Sequence, residues 1–139
     1  MTDTTASDDR GYAGDVSPAE AWALAQAGDA ILLDVRTPEE LKWVGRVPGV
    51  QPVPWLIDNG ARQNPDFLTQ LAAVAQPEQR VLLLCRSGVR SEAAAKAATA
   101  HGFQSVWSVK DGFEGPLDAN RQRNRVAGWR HDGLPWEQA

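Results

Sequence analysis

Cys85 is the one cysteine of the chain. It closes an apolar run, Arg80-Val81-Leu82-Leu83-Leu84-Cys85, and is followed by Arg86-Ser87-Gly88-Val89-Arg90-Ser91 and then alanine-rich sequence. A buried strand, a loop and a helix in that order put the thiol outside the carboxyl end of a sheet, where α/β folds bind ligands. None of residues 86–91 is proline, so each keeps its N–H. Gly88 permits a tight loop in which several of those groups converge on one point. The helix adds the positive end of its dipole, and Arg86 and Arg90 add two permanent charges. All of these favour an anion at the centre. A thiol in such a cradle exists substantially as the nucleophilic thiolate near neutral pH. The same donors can stabilise a sulfur-bound anion formed after attack. A lone cysteine is commonly just a small buried hydrophobe. Here that reading would leave two arginines beside an inert thiol with nothing to do. Cys85 is therefore the candidate nucleophile, and Arg86, Ser87, Gly88, Val89, Arg90 and Ser91 the substrate-binding loop.

The elements that must position this loop are legible on either side of it. Ser17-Pro18-Ala19-Glu20 and Thr37-Pro38-Glu39-Glu40 both carry a capping residue, a proline at the first helical position and a glutamate to complete a capping box. The first opens a helix running to Gly28, the second a short helix through Trp43. Ala30-Ile31-Leu32-Leu33-Asp34-Val35 reads as a buried strand. Residues 45–54 are loop-like, broken by Pro48, Pro52 and Pro54, with room for one short strand around 51–53. A helix is expected from Asn64-Pro65 to Val74, another from Ser91 to Ala100, and a strand from Ser105 to Val109. Strands alternating with helices at this spacing predict an α/β domain: a mainly parallel central sheet with helices on both faces. Residues 1–15 read as a polar, mobile tail, 16–117 as the domain and 118–139 as its C-terminal extension.

Composition narrows the chemistry. Lys and Arg total 14 against 18 Asp and Glu, a net charge of −4, which disfavours nucleic acid or an anionic membrane as partner. No apolar run approaches the roughly 20 residues of a membrane helix. The first ten residues lack the basic region and apolar core of a secretory signal, so the cytoplasm is the expected compartment. A single cysteine excludes an intrachain disulfide and multi-cysteine metal sites, and His101 and His131 have no ligand-spaced partner. No metal or cofactor is expected. The six tryptophans read chiefly as packing. That includes Trp55, for which a place at the pocket mouth is the alternative.

Strand–Cys85-Arg86-Ser87-Gly88-Val89-Arg90-Ser91–helix resembles the active-site loop of the rhodanese-like sulfurtransferases. Asp34-Val35-Arg36 with Pro38-Glu39-Glu40 is similar to that family's first strand end and helix. Gly45-Arg46-Val47-Pro48-Gly49-Val50 resembles its Gly-His-Ile-Pro-Gly-Ala segment, with arginine in place of the histidine. Val109 to Phe113 resembles the stretch after the last main strand, and Gly128-Trp129…Gly133-Leu134-Pro135-Trp136 the ending of small bacterial single-domain members. The resemblance implies a three-layer rhodanese-like fold. It also implies a sulfurtransferase that takes a sulfane sulfur from thiosulfate or a low-molecular-weight persulfide. The sulfur is carried as a Cys85 persulfide and given to a small thiol, cyanide or a protein thiol. Asp34 and Arg36, at the neighbouring strand end, are read as structural residues near the site, Asp34 bonding the loop and Arg36 ordering its surroundings; the alternative is a capping aspartate and a surface ion pair of little weight.

Two other readings share these features. Dual-specificity phosphatases and arsenate reductases use a cysteine in a similar cradle, with Cys-x5-Arg spacing. Here four residues, Arg86 to Val89, separate Cys85 from Arg90. The smaller ring suits one sulfur better than a tetrahedral phosphate. A non-catalytic binding or sulfur-relay module would have the same fold, but retention of Cys85 with both arginines favours the enzyme.

Overall fold

The structure is a computed structural model and describes residues 11–138. Its elements in chain order are β1 (Gly14–Val16), α1 (Pro18–Gln26), β2 (Ile31–Asp34), α2 (Pro38–Trp43), β3 (Gln51–Pro52), β4 (Leu56–Ile57), β5 (Arg62–Gln63), α3 (Phe67–Val74), β6 (Arg80–Leu84), α4 (Val89–Ala100) and β7 (Ser105–Val109). Five strands form one parallel sheet in the order β1-β7-β6-β2-β3. β4 and β5 form a separate antiparallel hairpin.

β6 lies at the centre of the sheet and is apolar on both faces, as a doubly covered parallel strand must be. Val81 and Leu83 point to a core shared with Phe67 and Leu71 of α3 and Ala94, Ala95 and Ala98 of α4. Leu82 and Leu84 point to the other core, with Ala21 of α1, Trp107, Phe113 and Trp129. Alanines on α4 let that helix approach the sheet closely. The helices are started as their sequences demand. Ser17 accepts from the Glu20 N–H at 3.1 Å and Thr37 from the Glu40 N–H at 3.2 Å, and each glutamate reaches back to its cap.

Three boundaries differ from the sequence reading. The polar stretch expected to run to residue 15 gives way earlier: Tyr12 is buried, and β1 pairs with β7 from Gly14. Three residues with one apolar contact face carry too little periodicity to be seen as a strand. The first ten residues of the expected tail lie outside the described residues. The third helix starts at Phe67, because the Asn64 side chain takes the Asp66 N–H at 3.0 Å and holds a turn there. α4 starts at Val89, two residues before Ser91, so Arg90 and Ser91 belong to its first turn.

Candidate active site

β6 ends at Leu84, and Cys85 follows it directly with no exposed surface. The connection to α4 is a tight turn closed by Gly88, which caps the helix at φ 104°, a left-handed conformation that glycine adopts without penalty. The turn brings the Gly88 N–H to 3.0 Å from Cys85 Sγ, and Sγ lies 3.3 Å from Ser91 Oγ. The first intrahelical bond runs from Glu92 N–H to Gly88 O at 3.2 Å. The N–H groups before it have no partner within the helix. The sulfur thus sits against the positive end of a twelve-residue helix.

The turn is gripped from the far side by the segment after β7. Phe113 N–H donates to Cys85 O at 2.7 Å, and the N–H groups of Glu114 and Gly115 donate to Arg86 O at 2.9 and 3.2 Å. Gly112 makes this approach feasible. Its φ is 63°, and a Cβ there would lie 2.5 Å from both Cys85 O and Arg86 C.

Beside the turn is a mouth of about 360 Å³ lined by Thr37, Glu40, Leu56, Asn59, Gly60 and, from the turn and the start of α4, Arg86 and Arg90. Arg86 is exposed there, an unburied cation at the rim. Arg90 turns toward α2 and binds Glu40 with both guanidinium nitrogens, at 2.5 and 2.8 Å. Burial would raise the Glu40 pKa. The Arg90 hydrogen bonds and charge and the Thr37 donors outweigh it and hold Glu40 at about 2. Arg90 is pushed above its ordinary value by the hydrogen bond to Glu40, against burial, with the charges of Glu40, Cys85 and Asp34 adding.

The chain as a whole is matched by known proteins. Residues 17–118 match the rhodanese-like domain family. The chain belongs to that family. A protein of M. tuberculosis of known crystal structure is 41 % identical, with a TM-score of 0.81 over 92 % of this chain and 99 % of that one. An uncharacterised protein of Rickettsia conorii is 33 % identical over 111 residues, 78 % of this chain and 84 % of the relative. The Arabidopsis thaliana protein named thiosulfate sulfurtransferase 16, chloroplastic, is 32 % identical over 122 residues, 86 % of this chain and 89 % of that protein.

In this rhodanese-like chain Asp34, at the end of β2, and Arg36 bond each other. The Asp34 carboxylate accepts from Arg36, at 3.0 Å from the backbone N–H and 2.8 Å from Nη2. Sequence reasoning aimed Asp34 at the loop; the structure directs it to Arg36, because the bend after β2 folds the guanidinium back over the carboxylate. Arg36 is fully buried, also donates to Gly45 O at 2.7 Å and lies 4.2 Å above the Phe113 ring. Phe113 in turn holds the Cys85 carbonyl, so the pair braces the segment that grips the turn.

Trp55 packs edge-on against Phe67 at 5.0 Å, and its neighbour Leu56 lines the mouth instead. Arg46, in the histidine's place, is half exposed and pairs with Glu137 at 3.3 Å within a two-residue bridge to the C-terminal segment. His101 caps the end of α4, and His131 lies on the surface beside Asp132. Among the described residues no group of three or more His, Cys, Asp or Glu could hold a metal ion, and no helix is long and apolar enough to cross a membrane.

Glu40, Ser108 and Gly112 are parts of the site that sequence reasoning did not assign to it. Glu40 was visible as the last residue of a capping box and in the Pro38-Glu39-Glu40 segment, and neither pointed to Arg90.

Proposed function

We propose that this protein is a sulfurtransferase that carries sulfane sulfur on Cys85. The Cys85 thiolate attacks the outer sulfur of thiosulfate, or of a low-molecular-weight persulfide. A new S–S bond forms as the donor's own S–S bond breaks, and sulfite leaves thiosulfate with the electron pair. The anionic Cys85 persulfide then yields its outer sulfur to a nucleophilic acceptor, a small thiol, a protein thiol or cyanide, and the thiolate is restored. The sulfur is carried by the protein's own side chain, so the cycle as written uses no cofactor.

The observation that carries this reading is the placement of Cys85 Sγ, 3.0 Å from the Gly88 N–H at the start of α4, with the next residue, Arg86, lining the mouth. The first-turn N–H groups and the helix dipole favour negative charge on either sulfur of the persulfide. Cys85 has no exposed surface, so approach of the donor requires the mouth to open. A likeness of 32 % to a named thiosulfate sulfurtransferase over 86 % of the chain supports the same chemistry.

Intact-protein mass after incubation with thiosulfate tests it. One sulfur atom should add per chain, and a reducing thiol or cyanide should remove it. Cys85→Ser should fold and never gain the adduct. An unmodified wild-type mass would defeat the enzyme reading and leave a binding module.

A further inference from the structure

Behind Cys85 the sulfur's hydroxyl partner has a partner of its own. Ser91 Oγ lies 2.7 Å from the Oγ of Ser108, which comes from β7, and both serines are buried. Ser91 also donates to Gly88 O at 3.1 Å.

Either hydroxyl can donate in the serine–serine bond; the proton arrangement that also serves Gly88 O and the sulfur has Ser108 donating. A hydroxyl has one proton and two lone pairs. While Cys85 is a thiol, its S–H donates to Ser91 Oγ, and the Ser91 proton is engaged by Gly88 O. Ser91 can then only accept from Ser108. When the thiol loses its proton to water, Sγ becomes an acceptor. The Ser91 proton can turn from Gly88 O to the sulfur, because Gly88 O keeps the Glu92 N–H as a donor. In both states of this arrangement Ser108 is the donor that fills a Ser91 lone pair. Such a donor strengthens the hydroxyl as a hydrogen-bond donor in its turn.

We propose that Ser108 is a positioning residue for sulfur transfer, acting through Ser91 to set a hydrogen bond to the Cys85 thiolate and to the sulfur of its persulfide. This rests on the sulfurtransferase reading. It assigns work to a buried polar residue in the middle of a strand, where an apolar side chain would otherwise pack at no cost. Charges around the sulfur come from other elements: Arg90 on α4 with its partner Glu40 on α2, and Asp34 at the end of β2. On the Ser108 side a recess of about 210 Å³ is lined by Asp15, Glu92, Lys110 and Asp111. None of these is altered by changing Ser108, so a change in sulfur reactivity reports the hydroxyl.

The test compares wild type, Ser108→Ala, Ser108→Thr, Ser108→Val, Ser91→Ala and the Ser91→Ala/Ser108→Ala double variant. Two readouts are taken: single-turnover sulfur uptake from thiosulfate, and alkylation of Cys85 by iodoacetamide near neutrality and in alkaline solution. Ser108→Ala should slow uptake about fivefold, the equivalent of one net hydrogen bond. It should slow alkylation similarly near neutrality and little in alkaline solution. Ser108→Thr should retain most of the rate where Ser108→Val, matched in volume, does not, which keeps the comparison decisive should the alanine variant fold poorly. Adding Ser108→Ala to Ser91→Ala should change nothing further. Wild-type rates in both Ser108→Ala and Ser108→Val, or an undiminished Ser108 effect in the Ser91→Ala background, would overturn the proposal. Failure of the wild type to take up sulfur would sink the sulfurtransferase reading instead, and alkylation would still decide the role of Ser108.

Discussion

Arg90 and Glu40, fifty residues apart, close on each other with two hydrogen bonds at the mouth that Arg86 also lines. Arg90 looked from its spacing like a charge for the sulfur. Its guanidinium is committed instead to a carboxylate that also completes the capping box of α2. The pair ties the start of α4 to the start of α2 and offsets one positive charge at the mouth. Arg86 is left as the exposed cation there.

The pair should show itself in acid. Glu40 is held at about 2 in the folded protein, against an ordinary value near 4.5. A depressed carboxylate adds stability that is complete above its unfolded pKa and lost as pH falls through the folded one. Glutamine still serves a capping box, so Glu40→Gln isolates the ion pair. Discounted for solvent screening, the gap between wild type and variant should be about 1–2 kcal/mol at neutral pH. It should close as pH drops from about 4.5 to about 2. Urea unfolding across that range measures it; a gap independent of pH would mean that the ion pair contributes nothing.

The strands and helices that build the site announce themselves locally. β6 is an unbroken apolar run, both capping boxes are complete, and the turn from Cys85 to Ser91 lies between a strand and a helix that each have a clear pattern. What could not be read was what meets that turn from elsewhere in the chain. Glu40, Ser108 and Gly112 reach Cys85 or its loop only once the sheet order sets β7 and β2 on either side of β6. The hairpin of β4 and β5, which supplies Leu56, Asn59 and Gly60 to the mouth, has strands of two residues, too short for any period. The partner of Asp34 depended on how the chain bends after β2.

Gly112 should be among the least replaceable residues of the chain. Alanine there meets the left-handed penalty of about 1–2 kcal/mol and, in addition, backbone atoms of Cys85 and Arg86 at 2.5 Å. Gly112→Ala should therefore cost more than about 2 kcal/mol and also lower sulfur uptake at temperatures where the protein remains folded. Gly49 has φ 77° with open space around it, so Gly49→Ala should show the left-handed penalty alone and leave uptake unchanged. Equal effects of the two substitutions would show that close approach to the turn is unimportant.

Arg86, exposed at the rim, should govern the encounter with an anionic donor. Rim charges act mainly on association and on its salt dependence. In Arg86→Ala the KM for thiosulfate should rise about three- to tenfold with a smaller change in kcat. The sensitivity of kcat/KM to added salt should also weaken. Steady-state kinetics at two ionic strengths would expose an error, since an unchanged KM and salt response removes Arg86 from the substrate path.

The C-terminal segment should matter to the site through Phe113. Trp129 is fully buried, stacks edge-on with Trp22 and donates its indole N–H to Pro135 O at 2.7 Å. Trp136 packs edge-on against Phe113 at 6.2 Å, covers Gly45 and lies under Arg130. Removing residues 134–139 would leave a buried donor unpaired, worth about 1–3 kcal/mol, and delete an aromatic pair worth about 0.5–1.5 kcal/mol. It would also uncover the ring on which Arg36 rests. The truncated protein should lose about 2–4 kcal/mol by urea unfolding. Trp136→Ala should account for the smaller share. Arg46→Ala, which breaks only a half-exposed ion pair with Glu137, should cost less than about 0.5 kcal/mol and leave sulfur uptake untouched. Sulfur uptake by the truncated protein, measured where it is still folded, should fall with the loosening of Phe113. Full activity together with full stability would show the segment to be an ornament on the surface and not part of the brace behind Cys85.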